Sequence, residues 1–268
     1  MSRAPHEKNV VEQWQWEPAL ADLLRVPFTG ATKIMRNHSQ AFQDIFVLSM
    51  LDGLTHGRYL EIGAHHPVSN NNTHLLHTSY QWSGVSIDID SAHVSQWRKE
   101  RPGSTLLIAD ALKIDYKEAF SNWFSAAEPA PSAWARWLRR DKPSAPPHDP
   151  HRVDYLQLDI EPSIHTLGVL KVLPLDSYRF SVITFETDAY SGDLRARDES
   201  REHLTKHGYQ LIAPDVSVLY TPVSEVPIPF EDWWVDPHVV SQEKILAIQG
   251  AAGEGRGGCL PQRMLFSR

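Results

Sequence analysis

Four acidic side chains, Asp88, Asp110, Asp159 and Glu186, stand at or just after segments that read as β-strands, and Glu61 comes just before the Gly63 turn of another. An open α/β sheet delivers the carboxyl ends of its strands to one crevice, so acids far apart in sequence can converge there. A carboxylate ending the second strand can accept hydrogen bonds from both hydroxyls of a ribose, and Asp110, after the third, is placed to meet an adenine amino group. Acids are common in loops, which is the ordinary explanation for any one of these. Four at the correct ends are harder to assign to chance. Three histidines, His65, His66 and His165, are candidate proton acceptors, because imidazole titrates near neutrality. The plainer reading of each is a surface or packing residue.

These side chains need a scaffold that brings them together. Tyr59 to Ile62 reads as a short buried strand that breaks at Gly63 and opens onto the polar run Ser69-Asn70-Asn71-Asn72-Thr73. Further strands are predicted over 85–88, 105–108, 153–159 and 180–186. Helices are predicted from about Asn72-Thr73, over 93–99, after 163 and over 201–207. Strand and helix in alternation is the doubly wound α/β signature. Tyr209 to Ala213 and Val216 to Tyr220, separated by Pro214-Asp215, have the spacing of an antiparallel hairpin at the sheet edge.

Upstream, Ser39 is placed to cap a helix carrying Phe42, Ile45, Phe46 and Leu48. Residues 1–37, with Val10, Val11 and Trp14 at roughly helical spacing, read as a helical extension. The main domain is expected over 38–235 and a second extension over 236–268, with partial disorder in its Gly-rich stretch near 253–258. Residues from about 120 to 152 carry Pro129, Pro131, Pro143, Pro146, Pro147 and Pro150 among Ala, Ser and Trp, with a short helix expected over 133–138. This insertion is either a lid or a plain surface loop.

The chain has 268 residues, 41% hydrophobic and 22% charged, which suits one large domain with an insertion. A formal charge of -7 argues against tight non-specific nucleic-acid binding. The basic and aromatic cluster of Trp134, Arg136, Trp137, Arg139 and Arg140 reads more simply as a solvated helix face. A single cysteine, Cys259, excludes an intrachain disulfide and a multi-cysteine metal site. No apolar run reaches membrane-spanning length and no signal-peptide core is present, so a cytoplasmic protein without a membrane partner is expected, with homo-oligomerisation left open.

The Gly63 turn separates the ligand classes. A dinucleotide crevice wants G-x-G-x-x-G to cradle a pyrophosphate. Here His65 and Val68 stand where the second and third glycines would be. A ligand without phosphate needs less exposed backbone, which favours S-adenosylmethionine.

Several short runs, in this order, then resemble the FkbM-type methyltransferases, class I enzymes that use S-adenosylmethionine. They are Ser39-Gln40 through Asp44, Glu61-Ile62-Gly63-Ala64, Ser69 to Thr73, Trp82-Ser83-Gly84-Val85, Leu156-Gln157-Leu158-Asp159-Ile160-Glu161 and Ile183-Thr184-Phe185-Glu186. The resemblance covers roughly residues 38 to 235. It implies a mostly parallel, seven-stranded class I methyltransferase sheet and O-methylation of a sugar or another small-molecule natural product. It also implies Glu61, Gly63, Ala64, Asn72 and Thr73 on the methionine side of the cofactor, Asp88 at the ribose, and Asp110 and Ala111 at the adenine. Asp159 and Glu161 would lie near the acceptor and the methyl group. Pro162, in place of the family's usual glycine, and the pair His65-His66 depart from the pattern. The insertion is not a family requirement. These departures bear on the acceptor more than on the cofactor.

Methyl transfer needs an acceptor aligned with the sulfonium carbon and a group that takes its proton. His65, His165 and Asp159 are the candidates, with His66 beside them. Asp159, Glu186 and Asp188 could also hold Mg²⁺ from adjacent strand ends, which would grip a vicinal diol and acidify it. The alternative is that Glu186 and Asp188 bind loop backbone or the acceptor itself. Asp232-Trp233-Trp234 reads either as a sugar-stacking platform or as a hydrophobic plug over the sheet. Two other classes remain in view: a nucleotide-dependent oxidoreductase, disfavoured by the missing glycines, and a non-catalytic module that keeps the fold for partner binding.

Overall fold

Runs rich in Val, Ile, Leu, Tyr and Phe form the strands, as β-propensity and burial direct. The computed structural model describes residues 15–124, 149–218, 226–252 and 259–267. Within them lie β1 (Arg58–Ile62), β2 (Ser83–Asp88), β3 (Thr105–Ile108), β4 (Arg152–Leu158), β5 (Arg179–Glu186), β6 (Gln210–Val218) and β7 (Ile228–Val235). They make one seven-stranded sheet in the order β3-β2-β1-β4-β5-β7-β6. Neighbours among β1 to β5 run parallel, and β7 is antiparallel to both β5 and β6. This is the doubly wound α/β sheet of the class I methyltransferases, with its order reversing between β1 and β4.

Helices cover both faces. They are α1 (Gln43–Met50), α2 (His74–Tyr80), α3 (Val94–Glu100), α4 (Tyr116–Trp123), α5 (Ser163–Val172), α6 (Arg195–Lys206), α7 (Gln242–Ala252) and α8 (Pro261–Leu265). One core joins Phe46, Leu76, Ile245 and Met264 to the sheet residues Tyr59, Tyr155, Val182 and Trp233. The other joins Phe120, Leu167, Leu170 and Leu204 to Leu60, Ile87, Leu156 and Ile183. A sheet covered on both faces has strands buried almost throughout rather than alternately, and β4 and β5 show that pattern. Trp16, Phe28 and Ile34, before residue 38, and Ile245 and Met264, after residue 235, belong to the α1-side core.

Three expectations differ from the structure. No hairpin forms at Pro214-Asp215. Residues Gln210–Val218 are one strand, irregular at these positions, and its antiparallel partner is β7. A strand can pass a proline at a bulge without losing its pairing. Asp215, at φ 52°, donates its N–H to Asp232 Oδ1 at 2.8 Å. The antiparallel strand is therefore interior, and β6 is the edge. Ser39 is not the N-cap residue of α1, although its hydroxyl accepts the Asp44 N–H of the first turn at 3.3 Å. Its hydroxyl donates to the buried Asp44 Oδ1 at 2.5 Å, and the N-cap is Phe42. Finally, α6 starts at Arg195 rather than 201, where Asp193 accepts the Arg195 N–H. The expected helix over 133–138, the Trp134 to Arg140 cluster, Val10, Val11 and Trp14, and the stretch 253–258 lie outside the described residues. No helix among the described residues is long and apolar enough to cross a membrane.

Candidate functional site

The strand order reverses between β1 and β4, and ligands of open α/β sheets bind in the crevice at such a switch point. Gly63 lets that crevice form. It has φ 86°, and a Cβ there would stand 1.6 Å from the Asp159 carbonyl oxygen, so the β1 turn closes on the end of β4 only without a side chain. Gly63 N and Ala64 N donate to Ile87 O at 2.9 and 3.1 Å, and Asp159 N donates to Ile62 O at 3.0 Å. The ends of β1, β2 and β4 are thereby tied together.

Asp88, at the end of β2, accepts the His65 N–H on Oδ2 at 2.6 Å and the Asp90 N–H on Oδ1 at 2.7 Å. Asp110 accepts Leu112 N–H at 3.0 Å and pairs with Lys113 Nζ at 3.1 Å. The Lys113 and Leu112 hydrogen bonds hold its carboxyl below the usual range. Next to these acids stand two apolar side chains that the sequence reading passed over: Ile89, 72% exposed, and Leu112, 40% exposed. Their only signal was an apolar residue within two positions of each acid. Acids beside exposed aliphatic groups suit a ligand with a polar ribose and a flat base.

Glu61 is buried, with Oε2 accepting from Ser86 Oγ at 2.7 Å and Thr73 Oγ1 at 2.9 Å. Burial pushes its carboxyl up, while Arg101, Ser86 and Thr73 pull it back. Arg101, at the end of α3, lies 3.6 Å from Glu61 and was also missed. It donates to Asn71 Oδ1 at 3.1 Å, Thr73 Oγ1 at 2.9 Å and the Tyr59 hydroxyl at 2.7 Å. Glu61 and Thr73 thus brace the polar loop from beneath. Ala64 and Ala111 are buried, as is Asn72, whose Oδ1 has no hydrogen-bond partner among the described residues. A buried acceptor without a donor calls for a ligand or water group to supply one.

At the ends of β4 and β5 the acids meet. Asp159 is half-buried and hydrogen-bonds to the buried Glu186, whose carboxyl is pushed well above its usual value by burial, then by Asp159. Glu231 faces Glu186 across the β5–β7 register, and burial raises it to about 8. Asp188 accepts the Ser163 N–H on Oδ2 at 3.2 Å. Glu161 is exposed. Asp159, Glu186 and Asp188 do not assemble the expected Mg²⁺ site: among the described residues, no three His, Cys, Asp or Glu side chains are arranged to hold a metal.

Trp233 is not a sugar platform. It is 0% exposed, stacks on Phe46 at 4.3 Å between ring centroids and donates to Glu231 Oε1 at 2.6 Å. The hydrophobic-plug alternative is the one observed. His65 is exposed and His66 half-buried, and both rings pack on His93 at 4.6 and 5.2 Å. His66 Nδ1 accepts from Val68 N and Ser69 N, and burial with its two histidine neighbours pushes the ring down. His165 is exposed on α5. A cavity of about 440 Å³ between α3 and β3, with Trp97, Arg98 and Leu106 in its wall, contains none of the predicted site residues.

No protein-family model and no curated protein matches the chain. Solved structures do align with it. An rRNA methylase from Streptococcus thermophilus is 12% identical over 73% of this chain and 94% of its own, with a TM-score of 0.39. A TehB-like SAM-dependent methyltransferase from Corynebacterium glutamicum is 11% identical over 73% and 86%, with a TM-score of 0.40. A precorrin-6y C5,15-methyltransferase from Geobacter metallireducens is 17% identical over 72% and 86%, with a TM-score of 0.37. At these values the likeness carries nothing about reaction or acceptor, and the class of the fold stands on strand order and direction.

Proposed function

We propose that the protein is an S-adenosylmethionine-dependent methyltransferase of the FkbM type that O-methylates a sugar or another small-molecule acceptor. The observation that carries this reading is the single-glycine turn at the switch point. Gly63 is closed by the Asp159 carbonyl, leaving no second glycine to open a phosphate cradle, while Asp88 and the exposed Ile89 stand beside it. Asp88 would accept from the ribose hydroxyls, and Asp110 and Ala111 would border the adenine. Gly63, Ala64 and Asn72 would hold the methionine arm, with the partnerless Asn72 Oδ1 accepting from its ammonium group. Glu61 and Thr73 would keep the loop in place.

When bound, the cofactor supplies an electrophilic methyl group. The chain's part is to orient the acceptor and take its proton. Asp159, half-buried and linked to Glu186, is the group nearest the closed turn for that role, with His65 and His165 the alternatives. Glu161 and Glu186 would contact the acceptor. The formal charge of -7 disfavours a phosphate backbone, which favours a small molecule over RNA.

Calorimetry with S-adenosylhomocysteine tests this. The folded protein should bind it, and Asp88→Ala should weaken binding at least about tenfold, the order expected for losing charge-assisted hydrogen bonds. Absence of binding by the folded wild type refutes the proposal, and tight NAD binding would move the protein to the oxidoreductases. Binding without turnover on any acceptor, followed with labelled methyl donor, would favour a non-catalytic module.

A further inference from the structure

We propose that Arg101 is a positioning residue that holds the loop from Gly63 to Thr73 in the shape that receives the methionine arm of the cofactor. This rests on the methyltransferase reading above. The Arg101 side chain is 0% exposed, and a fully buried guanidinium is costly unless its donors are matched. Its carboxylate neighbour Glu61 stands at 3.6 Å, beyond a close hydrogen bond, while its three good hydrogen bonds go to Asn71, Thr73 and Tyr59. Two of those three partners belong to the loop.

The same helix grips the other end of the loop. Arg101 lies over the Trp97 ring at 4.4 Å, and Trp97 Nε1 donates to His65 O at 2.8 Å. Between the two anchors, Asn71 Nδ2 donates to Ala64 O at 3.2 Å. Asn72, with its partnerless Oδ1, therefore sits between two residues that Arg101 holds directly. The chain leaving Asp88 leads directly into α3, so the segment that carries the ribose acid also braces the methionine loop. Arginine suits this position because its planar fork serves Nη1 and Nη2 partners at once, whereas a lysine ammonium offers a single point.

The test compares two ligands, S-adenosylhomocysteine and adenosine, by calorimetry on the full chain. Both should meet Asp88 and Asp110, and only the first reaches the loop. Arg101→Lys should lower the affinity for S-adenosylhomocysteine about tenfold or more and leave that for adenosine within about twofold. The neutral double variant E61Q/R101M, which removes both buried charges together, should show the same loss of preference. An equal loss for both ligands, or no loss, overturns the proposal, as does unfolding of both variants, which would assign Arg101 to stability alone. If the folded wild type binds neither ligand, the methyltransferase reading fails first. Wild-type binding with an unchanged ratio in the variants refutes the role of Arg101 alone.

Discussion

Glu231→Gln should make the protein more resistant to alkali. Glu231 is buried on β7 directly opposite Glu186 on β5, and burial pushes its carboxyl from 4.5 to about 8. Trp233 Nε1, at 2.6 Å, and Gln43 hydrogen-bond to it without overcoming that effect. A carboxyl whose folded value lies above its unfolded value keeps its proton longer in the native state. The native state then binds more protons, and stability falls as pH rises between the two values. They lie roughly 3.5 pH units apart, and each unit between them costs about 1.4 kcal/mol, which sets a ceiling of about 5 kcal/mol. Relaxation of a buried site reduces this to about 2–3 kcal/mol between pH 5 and pH 8. For a chain of this size 1 kcal/mol moves the thermal midpoint by about 2–4 °C. The wild-type midpoint should therefore drop by about 5–10 °C relative to Glu231→Gln over that range. The amide keeps an acceptor for the Trp233 N–H. Glu186 acts with the same sign, and because the Glu231 charge helps to raise it, Glu231→Gln also lessens its share of the alkaline loss. Thermal melts of the two proteins at half-unit pH intervals give the comparison. Parallel curves, or a wild type that gains on the variant as pH rises, would refute the reasoning.

Gly63→Ala should cost at least about 2 kcal/mol, because φ is 86° and the new Cβ meets Asp159 O at 1.6 Å; a melt matching the wild type would show that the turn tolerates a side chain. His74 is lowered to about 4 by burial and by His38, whose ring is 4.1 Å away, so its contribution is complete above pH 6.5 and lost as pH falls through 4. His74→Gln should flatten that acid limb in melts between pH 6.5 and 4, and an unchanged limb would contradict the assignment. Trp233→Ala should cost about 3–5 kcal/mol in chemical denaturation, as truncation of a fully buried aromatic does, and a loss below about 1 kcal/mol would return Trp233 to the surface.

The strands of the parallel half and the chemistry at their ends were legible because both are local. Strand β3 falls on the expected 105–108, and β5 starts one residue before the expected 180. The acids at the strand ends follow from the doubly wound pattern, and the lone Gly63 with His65 and Val68 after it argues against a phosphate cradle from the chain alone. A resemblance carried by short runs supplied the class of the sheet, which the strand order then bore out.

The remainder depended on partners distant in sequence. Pro214-Asp215 has the composition of a turn, and it became an irregularity within one strand because Asp232 on β7 receives the Asp215 N–H. Trp233 reads equally as platform or plug until Phe46 of α1 stacks on it. Arg98 and Arg101 look alike in sequence, yet one is exposed and the other is buried beneath the loop after β1. Asp159 and Glu186 could have been metal ligands by type; the packing of β4, β5 and β7 desolvates Glu186 and sets it against Asp159 and Glu231, so the protonated form is favoured. Residue type and period thus determined the strands of the parallel half, the lone-glycine turn and the acids at the strand ends. Tertiary structure alone decided which side chains lost their water and which charges met, because desolvation and Coulomb energies depend on distance in space rather than along the chain.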